Sequence, residues 1–255
     1  MPSIIADSRA IFLLRRTVLH LLSRVATNCP LCEGRAAGGR LCLGCLSDMT
    51  QWMQRHASSR CDCCGLRNAV LTGRCGACAT LQPVFSRTIV AFDYEPPFDS
   101  LISRYKEEHR FGLSTMLAYL LARALDRSAA GKTVLKAGTL LVPIPSSDAS
   151  LRKRGFNPAA ELARGLGAFL GHPVRRDILR RVREGARQAT RHRVARLHAA
   201  QGLFVCERVL TGVPIALVDD VMTTGSTVNA AAQALLRAGA SDVTVLVAAR
   251  TPLGN

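Results

Sequence analysis

Ile215-Ala-Leu-Val-Asp-Asp-Val-Met-Thr-Thr-Gly-Ser-Thr227 is the stretch that decides how this chain folds. The apolar run Pro214–Val218 is short and continuous, the pattern of a strand buried on both faces of a parallel sheet. Asp219 and Asp220 then fall at its carboxyl end, where open α/β sheets take their ligands. Thr223, Thr224, Gly225, Ser226 and Thr227 follow as a loop of hydroxyls around one glycine, and a helix-forming run begins at Val228. Such a loop can surround an anion with backbone N–H groups, hydroxyls and the positive end of the next helix. Acceptors for hydroxyls stand beside donors for a phosphate, so the stretch asks for a sugar phosphate. The plainer reading is a sheet-edge turn with solvated acids and a Thr-rich helix cap. A Walker-type loop fits less well, because no G-x-x-x-x-G-K-[ST] occurs.

Outward from this stretch, strand and helix patterns alternate from Pro83 onward. Arg87–Tyr94, Leu140–Ile144 and Asp242–Ala248 read as strands, and Thr115–Asp126 and Pro158–Leu170 as helices. Asn157 with Pro158 is a helix start, and Phe156 beside it a packing residue. The alternation predicts an α/β fold, a mostly parallel sheet with helices on both faces. With 255 residues, 48% of them apolar, the chain has room for one such domain and a small module.

That module is marked by cysteines. Nine of the ten fall between Cys29 and Cys78, and eight pair as Cys29/Cys32, Cys42/Cys45, Cys61/Cys64 and Cys75/Cys78 in C-x-x-C knuckles. A knuckle brings two thiolates to one ion, and four thiolates close a tetrahedral structural zinc site. Disulfides would need an oxidising compartment, whereas a cytoplasmic setting favours metal. Adjacent knuckles pair most simply into two ribbons, although the spacing also permits interleaving. Cys63 is a spare thiol, and Cys206 reads as a small core residue. With few apolar residues per turn, residues 29–80 would depend on metal for their core. The expected division is an amphipathic segment 1–28, a double zinc-ribbon module 29–82 and an α/β domain 83–255.

The formal net charge is +16, unevenly placed: Leu151–Arg208 holds fourteen Arg and Lys against four acids. Such a segment faces phosphates, nucleic acid or solvent. Eight Phe, three Tyr and one Trp supply a thin platform for stacking single-stranded bases. No apolar run approaches the ~18 residues of a membrane span. Ile4–Val25, with Arg9, Arg15, Arg16 and Arg24 among leucines, is amphipathic: a targeting or surface-binding helix, or more plainly one packed on the module or frayed.

The thirteen residues Ile215–Thr227 resemble the signature of type I phosphoribosyltransferases, which hold 5-phosphoribosyl-1-pyrophosphate (PRPP). That resemblance implies Asp219 and Asp220 on the ribose hydroxyls and a PRPP cradle of Val221, Met222, Thr223, Thr224, Gly225, Ser226 and Thr227. Four further places are similar to a narrower family, the ComF (competence protein F, GntX-like) proteins, which join a double zinc ribbon to a phosphoribosyltransferase domain. They are Tyr105-Lys106-Glu-Glu-His, Val142-Pro-Ile-Pro-Ser146, Arg154-Gly-Phe-Asn157, and Arg187-Gln188 through Arg196 to Gly202-Leu-Phe204. Two positions depart: Pro158 stands where Gln is usual and Ala199 where Asn is usual. The resemblance implies Lys106 as a catalytic cation and Arg154, Arg187 and Arg196 on pyrophosphate. It also implies two structural zinc ions, Mg²⁺ with PRPP, and a phosphoribosyl transfer to a nitrogen acceptor. The rival expectation is a non-catalytic protein on the same scaffold, binding single-stranded DNA or a competence helicase, since fold alone does not settle function.

Overall fold

The computed structural model describes residues 24–56, 60–67, 73–108, 110, 112–128, 134–182 and 202–252. They form two compact units, divided in sequence between Thr50 and Gln51. In the first, an antiparallel ribbon of β1 (Ala26–Asn28) and β2 (Arg35–Ala37) presents the first knuckle at its turn. The Cys29 N–H donates to the Gly34 carbonyl at 2.7 Å and closes that turn. Helix α1 (Leu43–His56) begins directly after Cys42.

The second unit continues through α2 (Gly76–Leu81), β3 (Arg87–Asp93), α3 (Asp99–Glu107), α4 (Leu113–Arg127), β4 (Leu140–Pro143) and α5 (Asp148–Arg154). After these come α6 (Pro158–Leu170), β5 (Leu179–Arg181), β6 (Phe204–Cys206), β7 (Pro214–Met222), α7 (Ser226–Arg237) and β8 (Asp242–Arg250). Its sheet has the order β3-β8-β7-β4, with every neighbouring pair parallel. An isolated parallel bridge from Leu141 to Val174 extends it past β4. The expected parallel α/β architecture is the one observed.

Side chains alternate across a strand, and here they divide the core in two. Ile215, Leu217, Val243, Val245 and Val247 cluster with Val228, Ala231 and Leu235 of α7 and with Leu179 and Phe204 of the antiparallel β5–β6 pair. The opposite face is covered by α4 and α6, which cross so closely that a Cβ on Gly165 would lie 2.8 Å from the Ala118 Cβ. Fully buried Leu141, Leu217 and Leu246 each contribute about 1.5–3 kcal/mol by leaving water.

This layering makes the junction of β4 and β7 a topological switch point. From β4 the chain leaves through α5 and α6 on one face, and from β7 it leaves through α7 on the other. Neighbouring strands that diverge in this way open a ligand-binding cleft at their carboxyl ends. The β4 ladder ends at Pro143 opposite Val218, while β7 stays paired to β8 as far as Met222. Here the structure departs from the sequence expectation, since β7 runs through both acids instead of stopping at Val218. The ladder to β8 explains it: Asp219 pairs with Val247, Val221 with Ala249 and Met222 with Arg250, whatever the side-chain polarity. Likewise α7 starts at Ser226, two residues before the apolar run that signals it.

The second cysteine cluster belongs to this unit. Cys61, Cys64, Cys75 and Cys78 share the buried cluster that holds α7 and the sheet. Their segment also covers the edge strand: the Thr88 N–H donates to Asp62 O at 3.3 Å, and Thr88 Oγ1 to Cys63 O at 2.6 Å. Covering an edge removes its free backbone groups from unwanted pairing. This cluster therefore has the apolar core of the sheet behind it as well as any metal, which composition within 29–80 does not reveal.

Candidate active site

Asp219 and Asp220 lie on β7 just past the last residue paired to β4, and α3 delivers Lys106 to them. The Lys106 ammonium lies 2.6 Å from Asp220 Oδ2, an ion pair in which both side chains are largely shielded. That same oxygen has no hydrogen-bond partner of good geometry among the described residues. The Asp220 N–H donates to Asp219 Oδ1 at 2.9 Å. The Asp219 carboxyl is pushed well above the usual carboxylate range, first by desolvation and then by the Asp220 carboxylate, with Lys106 pulling it back. Part of the Asp219 residue surface nevertheless reaches solvent. Two acids and one ammonium thus hold less negative charge than two free carboxylates would.

The hydroxyl loop sits directly after them. Gly225 takes φ +81°, a left-handed conformation that L side chains rarely adopt, and caps α7. Thr224 Oγ1 and Ser226 Oγ lie 2.9 Å apart, and the Ser226 N–H points back to Thr224 Oγ1 at 3.4 Å. Thr223 is exposed, Thr227 half-buried, and the first turn of a twelve-residue helix opens beside them with its N–H groups and positive dipole end. The Met222 side chain turns into the core cluster and Val221 is half-buried.

Local chemistry explains how Lys106 is aimed. The buried Tyr105 hydroxyl donates to Pro158 O at 2.8 Å, and its ring meets Phe156 edge-on at 5.5 Å. Burial, then the charge of Asp220, holds the Tyr105 phenol in its protonated, donating form. Asn157 caps α6 through Ala160 N and donates its amide to Ile144 O at 3.0 Å, tying the helix start to the end of β4. The sequence readings of Asn157-Pro158 as a helix start and of Phe156 as a packing residue hold. Pro158 contributes its carbonyl as the Tyr105 acceptor. Arg154 closes α5 just before Gly155, in the connection that leaves β4. Arg187, Arg196 and Ala199 lie outside the described residues, as do residues 1–23 of the amphipathic segment.

Known proteins match along most of the chain. A phosphoribosyl transferase domain matches residues 149–254. The DNA utilization protein YhgH of Salmonella typhimurium is 35% identical over 77% of this chain and 86% of its own. Competence protein F of Haemophilus influenzae is 30% identical over 87% of this chain and 96% of its own. The chain belongs to the competence protein F family. Competence protein ComFC of Streptococcus pneumoniae is 30% identical over 60% of this chain and 63% of its own. Among solved structures, glutamine PRPP amidotransferase of B. subtilis is similar at 22% identity over 53% of this chain and 26% of that one, TM-score 0.34. Hypoxanthine phosphoribosyl transferase of Trypanosoma cruzi is similar at 16% identity over 55% and 74%, TM-score 0.36.

The cysteines of this family member assemble by adjacent knuckles, not interleaved ones. Cys29, Cys32, Cys42 and Cys45 bring their sulfurs within 4.8 Å of one another, and so do Cys61, Cys64, Cys75 and Cys78. Zinc–thiolate bonds of about 2.3 Å in a tetrahedron need sulfurs about 3.8 Å apart. Cys32 and Cys42 Sγ are 3.7 Å apart, and Cys64 and Cys75 Sγ are 3.8 Å apart. Backbone N–H groups of Cys42 and Cys75 point at Cys29 and Cys61 Sγ, both at 3.3 Å, as thiolate ligands require. The donor sets fit structural zinc. The first cluster is partly open to solvent and the second fully buried. Cys63 is buried beside the second cluster, and Cys206 is half-buried in β6.

Two arginine arrangements escape sequence reasoning. Asp93, 0% exposed at the end of β3, accepts Arg60 at 2.8 and 3.2 Å and faces Arg67 at 3.3 Å, while both guanidiniums lie over Trp52. Arg250, 2% exposed at the end of β8, donates Nε to Cys64 O at 3.0 Å and Nη1 to the carbonyls of Met222, Thr223 and Thr251. The one available signal is a charged residue closing each apolar strand run, Ile89–Asp93 and Val243–Arg250. Among the described residues, no helix is long and apolar enough to cross a membrane.

Proposed function

We propose that this protein binds PRPP with Mg²⁺ in the crevice between β4 and β7 and transfers its phosphoribosyl group to a nitrogen nucleophile. The observation that carries the reading is the juxtaposition of Asp219, Asp220 and Lys106 with the Thr224-Gly225-Ser226 turn at the start of α7. The acid pair accepts the ribose hydroxyls, and the loop hydroxyls and helix N–H groups take the 5′-phosphate. Oxygen donors of this kind suit Mg²⁺, which supplies neutralisation of the pyrophosphate charge. The C1′–O bond to pyrophosphate breaks as the C1′–N bond forms, and the nitrogen's proton passes to water. Positive charge gathering at C1′ is met by the acid pair, and Lys106 is drawn between Asp220 and the leaving pyrophosphate. Arg154, with Arg187 and Arg196, is assigned to the same pyrophosphate. Two structural zinc ions hold the cysteine clusters.

A second reading has its own support: relatives carry the names DNA utilization protein and competence protein, and this chain is strongly basic. In it the phosphoribosyltransferase scaffold serves DNA uptake or use without catalysis, binding single-stranded DNA or a helicase partner. Such binding weakens steeply as salt rises.

Calorimetric titration of PRPP with Mg²⁺ tests the first reading. Charge-assisted hydrogen bonds are worth about 1.5–3 kcal/mol each, so Asp219→Ala/Asp220→Ala is expected to weaken binding at least ~100-fold. The absence of both heat and thermal shift with wild type would sink it. Binding without pyrophosphate release for any base or amine would favour the second reading.

A further inference from the structure

We propose that Arg250 is a positioning residue that couples metal occupancy of the Cys61/Cys64/Cys75/Cys78 cluster to the order of the phosphate loop. One guanidinium joins three segments. Its Nε holds the carbonyl of Cys64, itself a cluster ligand, at 3.0 Å. Its Nη1 holds Met222 O at 3.0 Å, Thr251 O at 2.7 Å, and Thr223 O where the loop departs from β7. These are peptide carbonyls, so the fork fixes backbone position and not merely charge. A cation this buried is costly unless its donors are satisfied together, so releasing one carbonyl loosens the hold on the others. A divalent ion with four thiolates carries net −2, an anionic neighbour that favours the guanidinium where it stands. The knuckle is rigidly seated as well, since a Cβ on Gly65 would meet Val90 Cγ2 at 2.5 Å. Metal thus fixes Cys64, Cys64 fixes Arg250, and Arg250 fixes Met222 and Thr223 at the mouth of the anion cradle. Coupling between two sites is reciprocal.

The functional weight of this coupling rests on the PRPP reading above, but its test does not. Hydrogen–deuterium exchange is followed on the full chain, zinc-loaded and after chelation, for wild type and Arg250→Lys. Zinc removal is expected to speed exchange of amides 222–227 about tenfold in wild type, within the usual range of coupling between sites. Arg250→Lys, still holding two zinc ions, already exchanges at the fast rate, and chelation adds little. A merely structural arginine would give two independent, additive effects instead. Unchanged loop protection on chelation overturns the proposal, as does a wild-type zinc dependence in Arg250→Lys. If chelation also exposes amides 243–248, the zinc-loaded variant decides alone, and wild-type protection of its loop overturns the coupling. PRPP titration of zinc-loaded wild type is scored separately, because its failure removes the substrate assignment and leaves the exchange result standing.

Discussion

Replacing Asp93 by alanine isolates what ties the second cysteine cluster to the sheet. The carboxylate is fully buried and takes two hydrogen bonds from Arg60 and an ion-pair contact from Arg67. Removing one partner of a buried ion pair typically costs about 3–5 kcal/mol, because the other charge stays behind unmatched. Four contacts retained in the variant lower that figure. Arg67 keeps Glu95 at 2.7 Å, Arg60 keeps Gly65 O at 3.0 Å, and both keep the face of Trp52. The lower bound is a single charge-assisted hydrogen bond, about 1.5 kcal/mol. The expected loss is therefore about 3 kcal/mol, or about 6–12 °C in melting temperature at 2–4 °C per kcal/mol for a unit of this size. Urea unfolding of zinc-loaded protein measures it, with the slope unchanged. Asp93→Ala combined with Arg60→Met should cost less than the sum of the single changes, since the second removes a stranded cation. A loss below about 1 kcal/mol, or strict additivity, would refute this account.

Three other outcomes follow from the geometry. Because the folded Asp219 carboxyl binds its proton more tightly than the unfolded one, wild type loses stability as pH rises above the ordinary aspartate range of about 4. Asp219→Asn escapes that loss, so it should melt above wild type at pH 8 and converge with it toward pH 4; a variant less stable at pH 8 contradicts the assignment. Gly165→Ala places a methyl 2.8 Å from the Ala118 Cβ, an overpacking worth about 1–3 kcal/mol, and Ala118→Gly should rescue it in denaturant titration. Gly225→Ala forces a side chain to φ +81°, costing about 1–2 kcal/mol of stability. Its Cβ meets only the flexible end of Met222, so the fold should survive while calorimetry shows PRPP affinity reduced about tenfold.

Much of this protein is legible residue by residue. The short apolar run before Asp219 dictates a buried strand, Asn157-Pro158 a helix start, and the C-x-x-C spacing a pair of thiolates on one ion, because each is chemistry between near neighbours along the chain. Alternation of strands and helices then selects the parallel sheet. Tertiary structure alone decides where β7 ends, since pairing with β8 carries it past the polarity of Asp219 and Asp220. It also decides that adjacent knuckles pair, that Tyr105 anchors on Pro158 to aim Lys106 at Asp220, and that Arg60 and Arg67 close on Asp93. These contacts join residues far apart in sequence, and no local propensity encodes them. Arg250 shows the division most clearly. In sequence it is a basic residue closing an apolar run; in the fold it is a buried fork, because only packing can bring the carbonyls of Cys64, Met222 and Thr223 to one guanidinium.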